Sequence, residues 1–326
     1  MVRHGARRKG CPAAAGDRAT KRWAAADGPI FCPMPELPDI TVYVEALAAR
    51  VVGQTAEEIR LHTPFLLRTV DPPLAELVGR RVAAVDRLGK RIVFAFDGDR
   101  FAVIHLMIAG RLHWRVRGAK PVKANALADV VFSSGTLTLT EAGTKRRASL
   151  HLASARAALA EFTRGGLEPL DARLDEFSER LRRESHTVKR SLTDPRLFSG
   201  IGDAYSDEIL HRARLSPVKL TGRLTDDEIA ALFDATRHTL VEWTERLRAE
   251  AAGEFPEKVT AFRAEMAVHG KFGQPCPVCG TPVQRIRYAD NETNYCARCQ
   301  TDGKLLADRG LSRLLEQDWP KSIDEL

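Results

Sequence analysis

No run of apolar residues in this sequence approaches the roughly 18–20 needed to cross a bilayer. No apolar h-region follows Met1, so a secretory signal is not expected either. There is no internal repeat and no cysteine framework of the kind that staples small secreted domains. Of six cysteines, four crowd between Cys276 and Cys299, while Cys11 and Cys32 stand apart near the start. That arrangement points to a reducing compartment. Net positive charge is scarce too once residues 1–33 are set aside. The chain carries +7, but those residues hold seven basic side chains against two acidic ones, +5 in all, which leaves +2 for the rest. The sequence pI of about 9.2 therefore describes the leader, and only local basic clusters can argue for nucleic acid.

What remains is ordinary globular material. The chain has 326 residues, 44% hydrophobic and 29% charged, enough for two or three domains with a sizeable core. Residues 1–33, rich in Ala, Gly and Arg and without amphipathic period, are expected to be disordered. Three origins would account for them: a start assigned too far upstream, a removed or targeting leader, or a basic arm. The first is the simplest, because "MPELPD" at Met34–Asp39 reads like the beginning of a protein.

From Asp39 the pattern "DITVYVEALAARVVG" predicts a helix that starts after Pro-Asp and stops at Gly53. From Glu57 to Leu152 the text is strand-like ("RIVFAF", "RFAVIHLMIAGRLHWRV", "ADVVFSSGTLTLTEA", "RASLHL"), with turns at Asp97-Gly98 and Ser134-Gly135. From about Gly165 it becomes helical, in "LDEFSERLRRES", "TVKRSLTD", "DAYSDEILHRARL" and a long stretch from Thr225. The polar segment "LADRGLSRLLEQ" is consistent with a last helix.

The strongest chemical signal is Cys276-Pro-Val-Cys279, sixteen residues, then Cys296-Ala-Arg-Cys299. Two CxxC knuckles at this spacing can wrap four thiolates around zinc, with a hairpin between them. Four cysteines leave no open coordination position, so the expected zinc is structural, one ion that folds a small ribbon. A redox set is the competing reading. Between the knuckles, Arg285, Arg287 and Asn291 can offer donors to a phosphate. Upstream, "LFSGIGDAYSDEIL" places Gly200 and Gly202 in a short turn, with Asp203 as expected N-cap of the next helix. Such a turn is either plain packing or a phosphate cradle of free N–H groups, to which Lys189 would add charge.

Taken together these pieces resemble the formamidopyrimidine-DNA glycosylase/endonuclease VIII family of base-excision repair enzymes. "MPELPD" resembles its mature N-terminus, "GKRIVF" its lysine hairpin and "IHLMIAGRL" its void-filling loop. "GIGDAYSDEIL" resembles its helix–two-turn–helix, and the cysteine segment its zinc ribbon. The order fits from Met34 to Gln300. The resemblance implies an α+β multidomain fold: one helix leading a β-sandwich domain (34–155), a helical domain (165–260), a ribbon (266–300) and a tail (301–326). It also implies double-stranded DNA with damaged bases or abasic sites as partner, a monomer, and a cytoplasmic, nucleoid-associated place of work.

By the same resemblance, the nitrogen of Pro35 is the nucleophile once the preceding Met is gone. Glu36 is the acid/base, and Lys90 grips a phosphate or assists proton transfer. Pro35 inside a peptide bond has no usable lone pair, so the chemistry requires a chain that starts at Pro35. Non-catalytic binding of damaged DNA, or abasic-site lysis with little base removal, are the rivals.

The sequence also departs from the family pattern. Ile108 stands at the hole-filling methionine's position, as a wedge or as a plain core residue. No Phe follows Lys145, Arg146 and Arg147, where an Arg-Arg-Phe loop would probe the opposite strand. Asn291 replaces a phosphate-binding arginine, and Asp203 an asparagine.

Overall fold

The computed structural model describes residues 34–120, 122–143, 145–257, 259, 263–288, 292–307 and 320–325. The leader, Asn291 and most of the segment read as a last helix lie outside them.

Helix α1 (Leu37–Val51) forms where predicted, with Gly53 in the left-handed region beyond its end. Its first turn is closed by Asp39, whose Oδ2 accepts the Glu36 backbone N–H at 3.0 Å. One face of the helix buries Ile40, Tyr43, Leu47 and Val51 against the sandwich. Burying each such side chain removes roughly 1.5–3 kcal/mol worth of apolar surface from water.

Eight strands follow: β1 (Glu58–Leu61), β2 (Val82–Leu88), β3 (Arg91–Phe96), β4 (Arg100–His105), β5 (Gly110–Val116), β6 (Ala126–Val131), β7 (Gly135–Glu141) and β8 (Ser149–Ala153). They make two antiparallel four-stranded sheets, ordered β1-β6-β7-β5 and β2-β3-β4-β8. Inward-facing Phe94, Phe96, Ile104, Leu112, Leu137 and Leu139 fill the space between them. The turn at Asp97-Gly98 is present, with Gly98 and Asp99 both at positive φ. At Ser134-Gly135 the chain needs glycine for room, since a Cβ on Gly135 would lie 2.4 Å from the Arg115 carbonyl.

The second half is helical: α2 (Leu174–Arg182), α3 (Val188–Thr193), α4 (Asp203–Arg212) and α5 (Asp226–Ala251). Its separate core joins Phe177, Phe198, Tyr205, Ile209 and Trp243. Helix α5 has the cap its sequence encodes, Thr225 and Glu228 each accepting the other's backbone N–H. The ribbon hairpin β9 (Gln284–Arg287) and β10 (Glu292–Tyr295), with α6 (Ala297–Thr301), completes the described chain. No described helix is long and apolar enough to cross a membrane.

Candidate active site

The first turn of α1 meets the first turn of α4. Because Asp39 takes the Glu36 amide, the Glu36 carboxylate is free to leave its own helix. It is 1% exposed and reaches the N-terminus of α4, where it accepts N–H groups from Gly202 (2.6 Å), Ala204 (2.9 Å) and Tyr205 (3.3 Å). A carboxylate there satisfies donors that a helix leaves open and meets the positive end of its dipole. Gly202 is required by space: a Cβ would lie 2.2 Å from Lys90 Nζ and 2.6 Å from Glu36 Oε1. Lys90, at the β2–β3 turn, and Glu36 thus converge on one glycine. Next to it, Gly200 at φ +78° accepts the Leu37 N–H at 2.9 Å. A Cβ on Gly200 would lie 2.8 Å from that of Leu37.

Burial raises the Glu36 pKa most; Lys90 and the Ala204 N–H oppose it, and the charges of Asp203 and Asp39 add to it. The net shift is upward, which suits a group that must both give and take a proton near neutrality. Pro35 is buried, and Met34 before it lines a cavity of about 700 Å³. Lys90, Arg91, His105, Arg164 and Arg196 also line this cavity. Glu168 and Asp194 line it as well, Asp194 paired with Arg196, so Lys90, Arg91 and Arg164 are the cations left to meet a phosphodiester. An acid held by a helix end with an ammonium beside it can shuttle a proton at this cavity.

Two expectations about the α3–α4 turn need correction. The N-cap of α4 is Gly202, and the side chain of Asp203, the first helical residue, makes no capping bond. Of the N–H groups expected to cradle a DNA phosphate, that of Gly202 and those of Ala204 and Tyr205 in the first turn of α4 are given to Glu36. The reason is geometric: the carboxylate arrives from α1 and occupies the helix end first. Lys189 is also placed differently. Its ammonium is buried and donates to the Asp203 carbonyl (2.9 Å), Ser206 Oγ (3.1 Å) and Asp207 Oδ1 (2.6 Å). Burial alone would lower its pKa, but Asp207 and Asp203 outweigh that and the net shift is upward. Lys189 is thus the counter-charge of a buried aspartate. It also lies 3.8 Å from Asp203 Oδ1, so the one half-exposed carboxylate at this turn has a cation beside it.

Ile108 sits at the turn between β4 and β5, 38% exposed, after Met107 at φ +55°. It is not a core strand residue. Arg111 folds back to hold that turn, with Nη1 donating to the carbonyls of Ile108 (3.1 Å) and Gly110 (2.6 Å). Lys145, Arg146 and Arg147 are exposed between β7 and β8. The loop returns to the sheet through buried Glu141, whose carboxylate accepts the Arg147 and Ala148 N–H groups at 2.8–3.2 Å. Ala148, where the family pattern has Phe, is buried in the sandwich core. Arg285 stacks over Phe272, its guanidinium carbon 4.1 Å from the ring centroid.

The sulfurs of Cys276, Cys279, Cys296 and Cys299 lie within 4.8 Å of one another. Four ligands at about 2.3 Å from a tetrahedral ion stand roughly 3.8 Å apart, so this set fits one structural zinc. Sequence reasoning missed the residues that tie the ribbon to α4: Asp207, Glu208, His211 and His269, all buried. Nothing local marked them: charged residues on every face of "DAYSDEILHR" are not the pattern of a buried helix, and their ribbon partners lie 59 or more residues on.

The described architecture has relatives. Residues 34–150 match the model of the formamidopyrimidine-DNA glycosylase N-terminal domain, 166–249 that of the formamidopyrimidine-DNA glycosylase H2TH domain, and 273–301 that of the zinc finger found in FPG and IleRS. A formamidopyrimidine-DNA glycosylase of Heliobacterium modesticaldum is 32% identical over 278 residues, which cover 82% of this chain and 100% of the relative. That of Thermus thermophilus is 33% identical over 279 residues, 83% and 100%. Among solved structures, Lactococcus lactis Fpg in complex with DNA containing an abasic site superposes with a TM-score of 0.73 at 27% identity. That match covers 82% of this chain and 99% of the other.

Proposed function

The chain belongs to the formamidopyrimidine-DNA glycosylase family, and from that membership we propose an assignment of its chemistry to residues. The protein is a base-excision repair DNA glycosylase, and its substrate is double-stranded DNA with a damaged, oxidised base or an abasic site. The observation that carries the assignment is the convergence on Gly202 of Lys90, the α4 N-terminus and Glu36, the residue that follows Pro35 in the chain.

The lesion nucleotide turns out of the duplex into the cleft between sandwich and helices, and Ile108 fills the space it leaves. The free secondary amine of Pro35, a chain-end amine that loses its proton more readily than a lysine, attacks the sugar C1′. The bond from C1′ to the base breaks, and the departing base takes up the proton that the attacking nitrogen gives up. The sugar ring opens as the nitrogen lone pair forms the iminium. Glu36 supplies the ring oxygen's proton and then accepts protons on the elimination path, in which loss of a C2′ proton expels the 3′ phosphate. Hydrolysis of the imine returns the amine. Lys90 holds a neighbouring phosphate, and Lys145, Arg146 and Arg147 meet the backbone near the lesion. The zinc ribbon contributes its hairpin to the DNA face, Asn291 included. The protein acts as a monomer on chromosomal DNA in the cytoplasm.

This chemistry needs a chain that begins at Pro35, since an amide nitrogen cannot attack. The test is borohydride trapping on abasic-site DNA with two forms of the protein, one initiated at Met34 and one with all 326 residues. A covalent complex is expected from the shorter form and not from its Pro35→Gly variant. Glu36→Gln should slow base removal by about 10²–10⁴-fold while binding persists. Trapping by Pro35→Gly at the wild-type rate would remove the nucleophile assignment. Binding without any trapping, from either form, would move the protein to the class of non-catalytic damage binders.

A further inference from the structure

Helix α4 is bonded along its whole length to groups outside the helical half. At its N-terminus three amides hold Glu36. One turn on, Asp207 is fully buried with both oxygens engaged. Oδ1 accepts from Lys189, and Oδ2 accepts from His269 Nδ1 at 2.8 Å and the Asn294 N–H at 3.1 Å. Glu208 beside it accepts the N–H groups of Ala267, Val268 and His269 at 2.8–2.9 Å. These three residues lead into the first cysteine knuckle, and Asn294 lies on the strand leading into the second. In the last turn, buried His211 brings Nε2 to 3.3 Å from Cys276 Sγ.

The direction of that last bond follows from the chemistry of the site. A zinc-bound cysteine is a thiolate and can only accept, so Nε2 carries the hydrogen and donates. Groups that hydrogen-bond metal ligands fix their orientation, and their loss commonly costs 10–100-fold in metal affinity or activity. At 1.5 Å per residue the span from Gly202 to His211 is about 13 Å of rigid helix. One short rod therefore has the catalytic carboxylate bonded to one end and a zinc ligand bonded to the other.

We propose that His211 is a positioning residue: through it the bound zinc sets the seat of α4, and so the place of the amides that hold Glu36. The proposal rests on the assignment of Glu36 as acid/base. It separates two roles of the ribbon, contact with DNA and alignment of the catalytic group, and gives the second to a residue that touches neither DNA nor the reacting atoms.

The experiment compares His211→Phe, which fills the slot without a donor, with His211→Gln, which keeps an N–H. Three readouts are taken: zinc content, the rate of zinc transfer to a chromogenic chelator, and single-turnover base excision at saturating DNA beside the dissociation constant. His211→Phe is expected to keep one zinc per chain and to lose it about tenfold faster. Its excision should be about tenfold slower with DNA affinity within about twofold of wild type, and His211→Gln should recover both rates. If His211→Phe does not fold, His211→Met against His211→Gln makes the same comparison. Zinc transfer and excision both at wild-type rates would overturn the proposal. So would faster zinc loss with unchanged excision, because the link to Glu36 would then be absent. Glu36→Gln is measured in parallel: full excision by that variant would refute the acid/base assignment, whatever His211 does to zinc transfer.

Discussion

The carboxylate of Glu36 and the amide of Gly202 are 166 positions apart in the chain and 2.6 Å apart in space. A buried charge-assisted bond of this kind contributes about 1.5–3 kcal/mol. It also fixes where the acid stands relative to Pro35.

Gly202→Ala tests that relationship with a single methyl group. The added carbon would lie within 2.6 Å of both Lys90 Nζ and Glu36 Oε1, so one or both must move. The backbone there is extended, so strain in φ is not the cause. A displacement of about 1 Å in a catalytic group can cost on the order of a hundredfold. Single-turnover excision is expected to fall by about that factor with the thermal midpoint changed little. A rate within twofold of wild type would mean the convergence on Gly202 has no catalytic weight.

Asp203→Asn should act on two quantities. The Asp203 charge is one of the groups that raise the Glu36 pKa, so its removal moves the Glu36 limb of the pH–rate profile to lower pH. It also removes a half-exposed anion from the face where a phosphate approaches, so DNA affinity should rise, and more so at low salt. The checks are a pH–rate profile of single-turnover excision and binding titrations at two ionic strengths. An unmoved limb would show that Asp203 and Glu36 are electrostatically uncoupled.

His105 gives a stability prediction with a definite sign. Burial, then the charges of Arg91 and Lys90, hold its pKa down to about 4. The unfolded chain takes up this proton near pH 6.5, whereas the folded protein resists until about pH 4. Folding is therefore opposed progressively as pH falls through that window, and the full stability is present above it. Thermal unfolding at pH 7 and pH 5 should show a smaller pH-dependent loss for His105→Gln than for wild type. Equal losses would place the acid sensitivity elsewhere.

Cys279→Ser removes one ligand from a ribbon with little core of its own, where Ile286, Tyr295 and Ala297 are the main buried residues. Because metal binding supplies much of the folding free energy of such a unit, zinc content and DNA affinity should fall together. Unfolding of the sandwich, followed through the fluorescence of buried Trp114, should be nearly unchanged. Retained affinity without zinc would show that the ribbon is dispensable for binding.

The division into strands, helices and ribbon was legible because local rules carried it: the short apolar run "RIVFAF", the helical spacing after Thr225, the paired CxxC knuckles. Glu36 and Lys90 were legible only through resemblance, since nothing in their own neighbourhood marks them. The α3–α4 turn was misread because its geometry is set from outside. Free N–H groups at a helix start suggest an incoming phosphate, yet here a carboxylate from α1 arrives first. Lys189 looked like a surface grip because its partners, Asp203 and Asp207, lie more than a dozen residues on. Asp207 and Glu208 drew no reading, because the ribbon groups that bury them lie 59 or more residues on. What the sequence withheld were contacts made across long loops.

The two-ended origin of the acid also bears on how the protein is made. A ribosome that has released only the sandwich has produced Pro35, Glu36 and Lys90, but not the helix end on which Glu36 rests. The nascent sandwich therefore carries Pro35 beside a Glu36 carboxylate that has no seat. The seat for Glu36 first forms when the turn at Gly200–Gly202 has left the exit tunnel and packed against α1. Since that turn precedes the cysteine knuckles, the seat for Glu36 emerges before the metal site that completes the helix's anchoring, which sets the order in which synthesis assembles the site.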